Sequence, residues 1–139
     1  MRRTRLVFAA TLILSFWVVA SASAYITQYA SQNFGPQGSG STCSITGQHW
    51  RETVGNYGTA LTYKNSPGSP SACYEVDVQV QWYHEDLGWL TTTGYGTPAQ
   101  VERRVTLSGI LTMNWSKHRG CILNPAGGSV TCYSWKTLY

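Results

Sequence analysis

Two stretches of alternating polarity constrain the fold more than any other feature of this chain. Over residues 74–83, Tyr74, Val76, Val78, Val80 and Trp82 share one side while Glu75, Asp77, Gln79 and Gln81 share the other. That is the period-2 pattern of a half-buried β-strand. Over residues 101–116 the odd positions supply Val101, Arg103, Val105, Leu107, Gly109, Leu111, Met113 and Trp115, and the even positions are polar apart from Ile110. This run exceeds the length of an ordinary strand, so the pattern predicts one strand bent at Ser108-Gly109 or two strands sharing a bulge there. It also predicts a single core made of Val76, Val78, Val80, Trp82, Val105, Leu107, Leu111, Met113 and Trp115, with Arg103 at the rim of the sheet.

No segment beyond residue 24 keeps a 3.6-residue apolar period for three turns, the signature of an amphipathic helix. Weaker strand patterns occupy residues 44–54, 59–63, 89–93, 120–123 and 130–135, separated by clusters of Gly, Asn, Pro, Ser and Asp that favour turns. The expected fold is all-β, a small antiparallel β-sandwich or barrel of about seven or eight strands over residues 43–139. Residues 25–42 are uncharged and rich in Gly, Ser and Gln. They read as a flexible N-terminal arm, with an edge strand over 25–29 as a further option.

The N-terminus has a separate logic. Arg2, Arg3 and Arg5 precede an apolar run over 6–20, and Ser21-Ala22-Ser23-Ala24 ends in a small-x-small pattern. Residues 1–24 therefore read as a cleaved signal peptide. The apolar run is shorter than the ~20 residues a bilayer span requires, so no stable membrane insertion is expected once it is removed. The expected location is secreted or extracellular, with the cell envelope or periplasm as alternatives. Removing the leader also changes the charge. The chain holds ten Lys and Arg against six Asp and Glu, and losing Arg2, Arg3 and Arg5 leaves seven cations against six acids, a net +1. These cations are scattered, which argues against a nucleic-acid partner.

Cys43, Cys73, Cys121 and Cys132 are an even set in an exported chain, which favours two disulfides over metal ligands or a nucleophile. If residues 125–128 form a hairpin turn, Leu123 faces Val130 and Cys121 faces Cys132, close enough to bridge. That leaves Cys43 to pair with Cys73. His118-Arg119-Gly120-Cys121 has no partner pair of the kind a zinc site needs.

No catalytic or cofactor motif is present, so an enzyme is disfavoured and no catalytic residue, metal or cofactor is assigned. Glu75 and Asp77 share a strand face and read as a solvated face rather than an acid–base pair. His84-Glu85-Asp86 reads as a hairpin tip, and the sequon Asn114-Trp115-Ser116 lies mid-strand. The aromatic inventory says more. Beyond residue 24 the chain carries Trp50, Trp82, Trp89, Trp115, Trp135 and nine tyrosines, with Phe34 its one phenylalanine. Trp and Tyr join a flat apolar face to a polar atom and suit binding surfaces. Trp50, Tyr83, Trp89 and Tyr95 lie off the apolar stripes and are the candidate ligand-binding residues. The expected function is a secreted, non-enzymatic binding module whose partner is an extracellular glycan or protein. The alternatives are an antimicrobial or toxin-like protein, which the low charge and lack of an amphipathic helix disfavour, or a protease inhibitor offering the loop braced by Cys121 and Cys132.

Overall fold

The computed structural model describes residues 26–38, 41–65 and 73–139. The leader assigned to residues 1–24 lies outside the described residues. Nine strands form two antiparallel sheets packed face to face, a sandwich rather than a barrel, with no α-helix among the described residues. They are β1 (Ile26–Pro36), β2 (Ser44–Glu52), β3 (Tyr57–Lys64), β4 (Glu75–His84), β5 (Gly88–Gly94), β6 (Glu102–Leu107), β7 (Ile110–Leu123), β8 (Val130–Cys132) and β9 (Lys136–Leu138). The first sheet runs β1-β2-β3-β6 and the second β5-β4-β7-β8, with β9 also paired to β7.

The two alternating stretches meet this architecture differently. β4 follows its pattern throughout: Val76, Val78, Val80 and Trp82 are fully buried between the sheets. The 101–116 run is divided, because Ser108 and Gly109 carry the chain from one sheet to the other, with Gly109 at a φ of 71° that favours glycine. β6 keeps its odd residues inward, so Val105 and Leu107 pack on the core. In β7 the parity changes. Trp115 pairs with Gln81 and Met113 with the next residue, Trp82, so Asn114 is an extra residue, and Leu111 is a second one between Thr112 and Ile110. Such bulges turn every later side chain to the opposite face. Leu111 and Trp115 are therefore outside the core in which they were expected, while Ser116, His118 and Gly120 point in. The bulged backbone has its own partner: Gln28 of β1 accepts from the Met113 N–H (3.2 Å) and donates to Thr112 Oγ1 (2.9 Å).

The segment expected as a flexible arm is an edge strand over most of its length. β1 pairs with β2 from Ile26 against Glu52 to Pro36 against Ser44. Its polar residues are those of a strand with one face in water, which explains why no apolar period announced it.

The interior contains two apolar clusters. At one end Ala60, Val78, Val80, Trp82, Ile110 and Met113 pack together with Leu90, Val105 and Leu107 at their margin. At the other, Cys43, Ile45, Cys73 and Val76 pack with Phe34, Ile122 and Tyr133. Cys43 and Cys73 are bridged across 30 positions of sequence, a closure worth about 3–4 kcal/mol in the chain-entropy account. Gly120 admits this bridge, since a Cβ there would collide with the Cys43 sulfur and crowd that of Cys73. Cys121 and Cys132 form the second disulfide, directly opposite in the β7–β8 register, as the hairpin argument requires.

Candidate functional site

The outward residues of the second sheet form a mixed aromatic and polar surface. Tyr83 on β4 and Trp89 on β5 are paired across the hairpin, with ring centroids 5.4 Å apart and edge to face. Trp89 is 54% exposed and Tyr83 36%. Along β5 the outward positions continue through Thr91 and Thr93, and the alternation brings Tyr95, 64% exposed, to the same side just beyond the strand. Gln79 donates to Thr93 Oγ1 (3.0 Å), and Asn114 donates to Gln81 Oε1 (2.6 Å). Amides and hydroxyls thus stand between the rings, with their remaining donors and acceptors turned toward water.

Farther across the same face the aromatics are occupied. Lys117 Nζ sits 4.6 Å from the ring centroid of Trp115, and the Arg119 guanidinium 4.3 Å from that of Trp135. Arg119 also donates to Asp77 Oδ2 at 2.8 Å, and the Gly96 N–H donates to Asp77 Oδ1 at 3.0 Å. Asp77, read from the sequence as part of a solvated face, is instead 1% exposed and sealed by these partners. Of the four candidate aromatics, Tyr83, Trp89 and Tyr95 share this face and Trp50 does not. Trp50 lies on the outer side of the first sheet, where its indole donates to Glu52 Oε1 (3.0 Å) and Arg104 approaches its ring (5.8 Å). The sequence analysis missed that Trp115 belongs to the open face. A signal was present: Lys117 and Arg119 continue the odd positions, so the apolar parity had to change before them.

The second feature lies inside. Ser116 Oγ is 2.8 Å from His49 Nδ1 and 2.7 Å from His118 Nε2, and His118 Nδ1 is 2.7 Å from Thr62 Oγ1, which donates to the Asp77 carbonyl at 2.8 Å. Because that carbonyl only accepts, the direction of every proton follows for a neutral His118. Thr62 must accept from His118 Nδ1–H, His118 Nε2 must accept from Ser116, and Ser116 must accept from His49 Nδ1–H. Burial pushes both histidines down, His118 to about 3 with a further contribution from His49. A serine donating to an imidazole is the geometry of an activated nucleophile. Here Ser116 and His118 have no exposed surface, so substrate has no approach to them.

Other clusters do not converge on a site. Glu75, Cys121 and Cys132 lie within 4.8 Å of one another, but both sulfurs are spent in the disulfide and offer no thiolate. An open depression of about 440 Å³ is lined by one segment, from Ala99 to Arg104, in which Glu102 already pairs with Arg104. No helix among the described residues is long and apolar enough to cross a membrane. No protein-family model, no curated protein and no solved structure matches this chain, so its site is read from its geometry alone.

Proposed function

We propose that this is an exported, non-enzymatic binding module that receives a glycan on the outer face of its second sheet. The observation that carries the reading is the open ring of Trp89. Trp50, Trp115 and Trp135 each have a cation beside the ring, whereas Trp89 has none, meets Tyr83 in a T-shaped contact and keeps 54% of its surface in water. Sugars offer C–H faces that stack on such rings and hydroxyls that bond to amides and hydroxyls beside them, which Gln79, Gln81, Thr91, Thr93 and Asn114 provide. A protein partner fits less well, because the core of a protein interface is its more apolar part and here polar side chains surround the touching pair of rings, Tyr83 and Trp89. Export is supported by the charged, apolar and small-residue order of residues 1–24 together with two disulfides.

The inhibitor alternative draws no support from its loop. Residues 124–129 turn back on themselves, with Asn124 N–H donating to the Ser129 carbonyl (2.8 Å) and Gly128 N–H to the Asn124 carbonyl (2.9 Å). A protease binds extended backbone. The test of the glycan reading is an array of neutral and charged glycans probed with the labelled, oxidised protein, followed by titration of the best ligand. Trp89→Ala should weaken binding by about tenfold or more, the scale of a buried stacking anchor. Absence of binding to every glycan, or loss on Trp50→Ala in place of Trp89→Ala, would overturn it.

A further inference from the structure

The interior chain His49–Ser116–His118–Thr62 joins three strands of the sandwich: β2 and β3 in the first sheet and β7 in the second. It lies between the two apolar clusters, where a sandwich of this size would ordinarily place aliphatic side chains. Gly47 leaves the space for it, since a Cβ at that position would collide with the His118 imidazole. Phe34 of β1 stacks on the same ring with centroids 5.8 Å apart. The imidazole is thus held on both ring nitrogens and on a face.

We propose that this chain is an acid-release clamp: it fastens the two sheets while both histidines are neutral and unfastens them when His118 takes a second ring proton. The hydrogen-bond directions carry the argument. His118 Nε2 must accept from Ser116, so a proton placed there forces Ser116 to accept from both imidazoles and leaves its own hydroxyl proton without a partner in the chain. His49 is already committed as a donor through Nδ1, so an added proton falls on Nε2 and leaves that bond in place, with burial alone disfavouring the charge.

The charged groups around the pair offer the protonated form no counter-charge. From β2 the interior receives Arg51, whose Nε donates to the Ile110 carbonyl. From β3 it receives Lys64, held by the Tyr74 and Pro98 carbonyls, and from β6 it receives Arg103. β1 carries no charged residue. On β4, Asp77 faces outward to Arg119, and on β7 itself Lys117 and Arg119 are outward. Lys136 of β9, opposite His118 in register, is exposed. All six carboxylates of the chain stand on outer faces or in the β4–β5 turn: Glu52, Glu75, Asp77, Glu85, Asp86 and Glu102. No acid faces either imidazole, so a proton arriving there meets no counter-charge.

The sign follows from linkage. A histidine that stays neutral in the folded state and protonates freely in the unfolded state contributes stability that is complete above its ordinary value of 6.5. That stability is lost as pH falls toward the folded value, by about tenfold in the folding equilibrium per pH unit and per histidine. The oxidised protein is to be unfolded with urea at a series of pH values from 8 to 4, alongside the double variant His49→Gln/His118→Gln. Wild type should be level above pH 6.5 and fall steeply below it, and the variant should fall less steeply. Equal slopes would overturn the clamp and assign the acid loss to the carboxylates. Should the variant not fold, histidine-ring NMR of the wild type decides. The account requires His118 to remain in the Nδ1–H neutral form at pH 5 in the folded protein, and a ring that titrates near 6.5 without unfolding would overturn it.

Discussion

Trp50 and Trp89 stand on the outer faces of opposite sheets and are held in opposite ways. Trp50 is tied down by Glu52 through its indole N–H and by Arg104 beside its ring. The Arg104 contact reaches across β3, whose Thr59 and Leu61 are buried although they face outward. Trp89 has a single ring neighbour, Tyr83, and no hydrogen-bond partner for its indole among the described residues. A tryptophan serves stability where its neighbours cover it and recognition where they leave a face open. Composition cannot separate the two, because both residues lie on polar strand faces.

Three substitutions grade this difference, with the interior Trp82 as the reference. Trp82 is fully buried in the larger apolar cluster, and Trp82→Ala should cost about 3–5 kcal/mol by urea unfolding, the cost of emptying a large packed site. Trp50→Ala should cost about 1 kcal/mol, the sum of one charge-assisted hydrogen bond and one exposed cation–π contact less what water restores. Arg104→Ala should reproduce part of that loss and add little to it in the double variant, because the two residues share one contact. Trp89→Ala should stay within about 0.5 kcal/mol of wild type. A stability loss at Trp89 as large as that at Trp82 would make it a packing residue and remove the basis for the binding face.

How much of this was legible in the sequence depended on whether a strand kept its period. β4 does, and its inward residues and the hairpin that follows it could be read directly, but not the burial of Asp77, which depends on Arg119 and Gly96. The disulfide pairing was legible because a short hairpin sets its own register, with Cys121 opposite Cys132. β7 was legible only to its first bulges. The extra residues at Leu111 and Asn114 are accommodated by Gln28, which is distant in sequence and itself sits at a positive φ of 52°, and nothing local to β7 requires that contact. The same parity change concealed the interior chain, since Ser116 and His118 looked like the solvent side of a strand until Trp115 was turned outward. β1 was hidden for the opposite reason: an edge strand with few apolar residues resembles a polar linker.

The binding face was legible in part. Tyr83, Trp89 and Tyr95 could be proposed from their positions off the apolar stripes, but the exclusion of Trp50 required the sheet order. That exclusion is also what makes the account testable on a single sample. In uniformly ¹⁵N-labelled protein each tryptophan gives its own indole N–H signal, and the glycan that binds best on the array can be titrated against all of them at once. The account predicts that the Trp89 indole moves most, that Trp115 on the same face moves less, and that Trp50 and Trp82 do not move. A spectrum in which Trp50 responds as strongly as Trp89 would contradict it.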